Sequence, residues 1–118
     1  MGTLIDLTGT TVKVTASTDA QDVRDAVDVL ALDALDLELG MVQSSFSSIT
    51  IALYTAMDLT ENEDAWKEVV AYTAVTSAPS YELKSQDKGF LRYLRWKVKA
   101  ATTGTAHFWI KGVGRRYG

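Results

Sequence analysis

Residues 89–101 read Gly89-Phe-Leu-Arg-Tyr-Leu-Arg-Trp-Lys-Val-Lys-Ala-Ala101 and decide the fold, because polar and apolar side chains alternate strictly from Leu94 onward. A period of two is typical of a strand with one face in a core and the other in water. A second alternating run, Ala106-His-Phe-Trp-Ile-Lys-Gly112, follows the turn-prone residues 102–105. Two such runs joined by four turn residues predict a β-hairpin. Its inner face would carry Leu94, Trp96, Val98, Phe108 and Ile110.

The length and composition fit one globular domain. The 118 residues contain no cysteine, so neither disulfides nor thiolate zinc sites contribute. No apolar run approaches the roughly 20 residues that a transmembrane helix needs. The N-terminal residues 1–6 lack the basic and apolar regions of a secretory signal. The sequence therefore predicts a single domain over residues 1–118 that is made in the cytoplasm and does not engage a membrane.

Short alternating or β-branched runs occur along most of the chain. They predict strands near residues 3–8, 11–15, 27–42, 49–57, 66–75 and 81–84, in addition to the two runs above. Residues 19–26 combine helical spacing with many Asp residues, so they are either a loop or a short helix. The sequence predicts an all-β, single-domain antiparallel sandwich of seven to eight strands, of jelly-roll or discoidin-like type. Leu37, Leu39, Ile51 and Leu53 should join the core, and the glycine-rich residues 112–118 suggest a flexible tail.

Charge is unevenly distributed along the chain. Residues 1–65 carry twelve carboxylates against two cations, whereas residues 66–118 carry ten cations against three carboxylates. One interpretation is that the two halves interleave and neutralise each other within the sandwich. The other is a dipolar surface that docks on a second copy or on a charged scaffold. The first interpretation is favoured, since surface charges cost little to arrange.

Two polar features were considered as sites of chemistry. The turn from Asp58 to Asp64 places oxygen side chains at alternate positions, but an EF-hand needs Gly at its sixth position and Glu at its twelfth. Glu63 and Val69 stand there, which excludes an EF-hand and favours a solvated turn over a looser calcium site. His107 is the only histidine and belongs to no recognisable catalytic or metal-binding motif. The sequence predicts no catalytic residue, no metal site, no cofactor and no enzymatic activity.

The outer face of the predicted hairpin is basic and aromatic, and it is the candidate partner interface. It would consist of Arg95, Lys97, Lys99, Trp109 and Lys111. Such a surface could bind single-stranded nucleic acid, but the net charge of −3 is unlike that of a nucleic-acid-binding domain. Outward Trp and Arg side chains more often mark protein contacts.

Two stretches resemble the discoidin-like, galactose-binding-type β-sandwich family. Ile49-Thr-Ile-Ala-Leu-Tyr-Thr-Ala-Met-Asp58 is followed by Trp66-Lys-Glu-Val69, as in the family's strand, acidic turn and Trp that opens the returning strand. Phe90-Leu-Arg-Tyr-Leu-Arg-Trp96 is similar to its Arg-Tyr-aliphatic-Arg strand. The family's terminal cysteine pair and the Gly after Asp58 are missing, so no sugar or lipid site is carried over. The resemblance implies a carbohydrate-binding module as an alternative function, with a glycan as a possible ligand.

The whole pattern also resembles small virion proteins of phages and prophages, which are compact, cysteine-free, Thr/Ala/Ser-rich sandwiches with a Gly/Arg tail. This resemblance implies a capsid-decoration, head or tail accessory protein, usually a homo-oligomer, found in the virion with other virion proteins as partners. A non-enzymatic structural protein is therefore the leading functional hypothesis.

Overall fold

The computed structural model describes residues 2–117, which form two antiparallel sheets packed face to face as a single domain. The predicted all-β sandwich is confirmed, with nine strands in the described residues rather than seven or eight. The additional strand, β3, has only two residues. The strands are β1 (Gly2–Asp6), β2 (Val12–Val14), β3 (Val27–Asp28), β4 (Ala34–Ser44), β5 (Ile49–Ala56), β6 (Lys67–Ala71), β7 (Ser80–Gln86), β8 (Tyr93–Ala101) and β9 (Ala106–Arg115).

The two sheets differ in size and in strand order. The five-stranded sheet has the order β1-β9-β4-β7, and β2 lies beside β1 along the same side of β9. The four-stranded sheet has the order β3-β8-β5-β6. Two 3-10 turns, Val23–Asp25 and Glu63–Ala65, lie in the loops that flank the four-stranded sheet. The first of them lies within residues 19–26, for which the sequence predicts a loop or a short helix.

The predicted hairpin is wrong. β8 and β9 follow each other in the chain but lie in different sheets, and each pairs with other strands. Residues 102–105 therefore carry the chain across the sandwich instead of turning it within one sheet. The inward faces of the two strands meet across the core, where the rings of Trp96 and Phe108 form an edge-to-face pair with centroids 5.0 Å apart.

The core contains all nine residues that alternation assigned to it. Each is at most 7% exposed: Leu37, Leu39, Ile51, Leu53, Leu94, Trp96, Val98, Phe108 and Ile110. Met57 has the same alternation as Ile51 and Leu53 but is 52% exposed, because β5 ends at Ala56. Burial of alternating apolar side chains from both sheets is therefore the main source of stability.

Two buried polar side chains connect the elements around this core. The hydroxyl of Tyr72 donates to the backbone oxygen of Leu37 at 2.9 Å and so links the end of β6 to the opposite sheet. Burial raises the pKa of the Tyr72 hydroxyl. The side chain of Gln21 donates to the backbone oxygens of Leu7 and Asp25 and accepts from the backbone N–H of Trp96. These bonds fix residues 19–25 against the edge of β8.

The glycine-rich end of the sequence is strand rather than the expected flexible tail as far as Arg115. Residues 112–115 pair with β1 on one side and with β4 on the other. After the strand, the backbone N–H of Tyr117 donates to Asp33 at 2.6 Å. Met1 and Gly118, the remaining residues of the predicted domain and tail, lie outside the described residues.

Candidate functional site

The five residues of the predicted interface do not form one surface. Arg95, Lys97 and Lys99 lie on β8, on the outer side of the four-stranded sheet. Trp109 and Lys111 lie on β9, on the outer side of the five-stranded sheet. Because the two strands belong to opposite sheets, their outer faces point away from each other. The single basic and aromatic surface that the hairpin implied is therefore wrong.

Arg95 is a buried structural residue and is only 3% exposed. The loop between β5 and β6 folds over it, and its Nη1 lies 3.0 Å from both carboxylate oxygens of Glu63. Its Nε donates to the backbone oxygen of Gln21 at 3.0 Å. The guanidinium also lies 5.0 Å from the ring centroid of Trp66. These contacts occupy Arg95 within the chain, so it does not present its charge to a partner.

Lys97 and Lys99 also have acidic neighbours in the chain. Lys97 Nζ lies 3.2 Å from a Glu63 carboxylate oxygen and 4.5 Å from the ring centroid of Tyr54. Lys99 Nζ lies 3.0 Å from a carboxylate oxygen of Glu68, and the Lys99 side chain is more open to water than that of Lys97. The hydrogen bond from Arg95 is the main cause that lowers the pKa of Glu63 below its usual value.

The ion pairs show how the uneven charge is arranged. Among residues 2–117, four of the seven ion pairs join a carboxylate from the N-terminal half to a cation from the C-terminal half. They are Arg92–Asp28, Arg95–Glu63, Lys97–Glu63 and Arg115–Asp36. The two halves thus interleave at these pairs, which engage three of the twelve N-terminal carboxylates and four of the ten C-terminal cations.

Trp109 lies flat across the outer side of the five-stranded sheet. In the strand register it stands opposite Gly40 of β4, which in turn stands opposite Tyr81 of β7. A Cβ at position 40 would overlap the indole ring, so only glycine leaves room for the ring there. The ring reaches over β4 toward Tyr81, and the two ring centroids lie 6.2 Å apart with a tilt of 40°.

The neighbouring side chains extend this surface. Leu83 is two residues along β7 on the same side, and Lys111 lies with its Nζ 5.9 Å from the Trp109 ring centroid. Tyr81 and Leu83 are 61% and 60% exposed. We call Tyr81, Leu83 and Trp109 the aromatic platform. It is an apolar patch on the outer side of the five-stranded sheet, bordered by Lys111 and by Glu38, which stands between Leu83 and Lys111 in the register.

The side chains of β7 are oriented opposite to those of an ordinary amphipathic strand. Its apolar residues Tyr81 and Leu83 face water, whereas Glu82 and Lys84 point to the inner side of the sheet and are half-buried. The Glu82 carboxylate accepts hydrogen bonds from the backbone N–H and the hydroxyl of Thr73, at 2.6 and 2.7 Å. This polar contact joins β7 to the segment that follows β6, and so links the two sheets at one side of the sandwich. Sequence reasoning recognised the strand but missed Tyr81 and Leu83 as surface residues.

The acidic turn from Asp58 to Asp64 is organised by its own hydrogen bonds. Asn62 Oδ1 accepts from the backbone N–H of Asp64, and Thr60 Oγ1 accepts from that of Asn62, both at 3.1 Å. The backbone oxygen of Thr60 also accepts from the indole N–H of Trp66 at 3.0 Å. Within the described part of the chain, no three His, Cys, Asp or Glu side chains are arranged to hold a metal ion.

His107 lies on the outer side of β9, beside Lys13 of β2 and Gln43 of β4 in the register. It borders a shallow depression lined otherwise by Gln43, Ser44, Ser45 and Thr105.

An open cleft of about 660 Å³ lies between the β1–β2 loop and residues 19–25. Two of the carboxylates that line it, those of Asp19 and Asp22, are engaged within the chain. Asp19 accepts from the backbone N–H groups of Thr15 and Ala16, at 2.8 and 3.2 Å. Asp22 accepts from Arg24, and that hydrogen bond lowers the pKa of the carboxyl to about 2. The cleft is thus a consequence of how these loops are held together.

No helix within residues 2–117 is long and apolar enough to cross a bilayer. Comparison with protein-family models, with curated proteins and with solved structures finds no significant match to this chain.

Proposed function

We propose that this chain is a non-enzymatic structural protein that assembles into a phage virion or a similar particle through protein–protein contacts. Its role would be that of a capsid-decoration, head or tail accessory protein, made in the host cytoplasm and present in the particle as a homo-oligomer. The observation that carries the proposal is the aromatic platform, with Tyr81 and Leu83 each about 60% exposed on the outer side of the five-stranded sheet. Exposed apolar patches of this kind mark interaction sites on soluble domains.

The composition of the platform supports a protein partner. Tyr and Trp are enriched in protein interfaces because they supply a large, stiff contact area at little entropic cost. Lys111 lies at the border of the patch, where a charged group stays hydrated and improves specificity more than affinity. Of the five residues first considered as an interface, Trp109 and Lys111 therefore remain in the proposal. Arg95, Lys97 and Lys99 are assigned to ion pairs within the chain instead.

The arrangement of charge also favours assembly by apolar contact over binding of nucleic acid. Arg92 and Arg115, which would have extended a basic surface, are paired with Asp28 and Asp36. A phosphate backbone would have to compete with these carboxylates.

A carbohydrate-binding module is the second candidate. The pair of rings formed by Tyr81 and Trp109 favours it, since sugar rings stack on exposed aromatic faces in the same way as other apolar surfaces. The two functions differ in their ligand, so a glycan array separates them. Binding of one glycan class that is lost in Tyr81→Ala would support the module and contradict the structural role.

The test of the structural role uses particles assembled from the products of the neighbouring genes. Wild-type protein should co-sediment with particles made of capsid, portal or tail proteins, and Tyr81→Ala should weaken this binding at least about tenfold. Tyr117→Ala is the matched control, because Tyr117 is 66% exposed but lies outside the platform. Circular dichroism checks that each variant is folded. Equal loss in both variants, or no co-sedimentation of the wild type, would refute the proposal.

A further inference from the structure

The outer edge of β7 is an open strand edge of the five-stranded sheet. β7 has seven residues and pairs with β4 without a bulge. Within residues 2–117 no other strand pairs with it, and its backbone makes no loop hydrogen bond. Its row of backbone N–H and C=O groups is a template for one more strand. β6, the edge strand of the other sheet on this side, is shorter than β7. Its pairing with β5 also contains a bulge.

The sequence of β7, Ser80-Tyr-Glu-Leu-Lys-Ser-Gln86, is complementary to itself about Leu83. We propose that a second copy of this chain pairs with β7 in antiparallel fashion, with the two-fold axis at Leu83. Leu83 would then stand opposite Leu83 of the second copy. Glu82 would stand opposite Lys84 of the second copy, and Lys84 opposite its Glu82. This inference rests on the proposed role in assembly and names one of the partners, the chain itself.

Charge selects this register over its neighbours. Glu82 and Lys84 share the inner side of the sheet, with side chains 29% and 33% exposed, and they lie 3.8 Å apart within one chain. With the axis at Leu83, each copy contributes one carboxylate and one ammonium group, and two oppositely charged cross-strand pairs form. A slip that moved the axis to residue 82 would place two Glu82 side chains opposite each other. A slip to residue 84 would do the same with two Lys84 side chains.

The pairing also accounts for the reversed polarity of the strand. Side chains of directly opposed residues lie about 4.5–5.5 Å apart at their Cβ atoms. The two Leu83 side chains would therefore contact each other on the outer side and cover part of their exposed surface. Each Tyr81 would stand opposite Ser85 of the second copy. The two aromatic platforms would then lie on one continuous ten-stranded sheet and present a single face to the particle.

Charge reversal tests the proposed register. Wild-type protein should sediment as a dimer that dissociates on dilution. Lys84→Glu should weaken the dimer at least about tenfold, because it places like charges opposite each other twice. Glu82→Lys should do the same, whereas an equimolar mixture of the two variants should form a heterodimer with both pairs restored. The double variant E82K/K84E should also restore the dimer. Lys13→Glu is the control with the same change of charge, on β2 at the opposite edge of the sheet.

Cysteine cross-linking tests the axis without depending on charge. The chain has no cysteine, so a single substitution gives one defined thiol. Leu83→Cys should form an intermolecular disulfide under mild oxidation, because its two copies meet at the axis. Tyr81→Cys alone should not, since its two copies would lie about 13 Å apart along the strands. A mixture of Tyr81→Cys and Ser85→Cys should cross-link, because those positions are opposed.

A wild-type protein that stays monomeric over the whole dilution series would overturn the pairing. So would a dimer that is unaffected by both charge reversals and does not cross-link through Leu83→Cys. If the purified protein is monomeric but still co-sediments with particles through Tyr81, only the pairing fails. If it dimerises as described but binds no particle, the pairing stands and the proposed function fails.

Discussion

The loop that covers Arg95 gives the sharpest test of the structure, through the substitution Glu63→Gln. The change keeps the shape of the side chain but removes the negative charge that lies 3.0 Å from the buried guanidinium. Lys97 loses the same partner. The loop between β5 and β6 should then hold β8 less tightly, and the protein should be less stable.

The expected loss follows from the unequal burial of the two partners. Removing one partner of a fully buried ion pair costs about 3–5 kcal/mol. Arg95 is nearly inaccessible, but the side chain of Glu63 is 54% exposed, so water screens the pair from that side. The Gln amide also keeps one oxygen that can accept from Arg95. A loss of about 1–2 kcal/mol is expected, comparable to one hydrogen bond to a charged group. In a domain of this size it would lower the Tm by roughly 3–8 °C.

The measurement is chemical and thermal unfolding of wild type and Glu63→Gln across a range of pH. Arg95 lowers the pKa of Glu63 below its usual 4.5. The contribution of the pair is therefore fully present above pH 4.5 and is lost as the pH falls through the lower pKa of the folded state. The difference between the two proteins should be largest at neutral pH and should vanish in acid.

Glu61→Gln is the matched control, because Glu61 lies in the same loop but is exposed and makes no ion pair among the described residues. It should unfold like the wild type at every pH. If Glu63→Gln behaves like this control at neutral pH, the loop does not hold Arg95 as described. A stability difference that persists unchanged in acid would show that the loss does not come from the charge.

Three further predictions concern the core and the acidic turn. Trp96→Ala removes the ring that packs against Phe108. It should lower the free energy of unfolding, measured by urea titration, by about 3–5 kcal/mol. A variant as stable as the parent would contradict the inward orientation of Trp96 on β8. Tyr72→Phe deletes the hydrogen bond to the backbone oxygen of Leu37 and should cost about 1–3 kcal/mol by the same measurement, whereas no loss would show that the bond is absent in solution. Adding EDTA should leave the Tm unchanged, since hydrogen bonds within residues 58–64 already order that turn. A drop of several degrees that calcium reverses would instead indicate a calcium site in this turn.

The inward face of each strand could be predicted from the sequence because alternation is a local property. Leu94, Trp96 and Val98 must share a face whenever residues 93–101 are extended, whatever the neighbouring strands are. The same holds for Phe108 and Ile110. The core was therefore predictable without any knowledge of the topology.

Sheet membership could not be predicted in the same way. Four residues span up to about 13 Å when extended, which exceeds the roughly 10 Å between two packed sheets. Residues 102–105 can therefore either turn within a sheet or cross to the other one. Both arrangements place Trp96 and Phe108 in the core, so the pattern of burial does not distinguish them.

The candidate site was less predictable than the core, because it depends on contacts between distant parts of the chain. Arg95 has an outward position on its strand, and only the loop that carries Glu63 makes it buried. Tyr81 and Leu83 alternate with Glu82 and Lys84, and for such a strand the apolar side chains would ordinarily face the core. β7 is reversed because it lies at an edge, where Thr73 provides a polar contact for Glu82 on the inner side.

The position of β9 between β1 and β4 has a consequence for the order in which this chain can fold. Residues 2–6 pair with residues 111–115, so nearly the whole chain must be closed into one loop before these strands can meet. Pairings between such distant segments make folding slow. During synthesis, β1 and β4 have no common neighbour until residues 106–115 have emerged from the ribosome, and their edges stay open to other chains until then. We therefore expect the five-stranded sheet to close in one late step, with aggregation as its main competitor during translation.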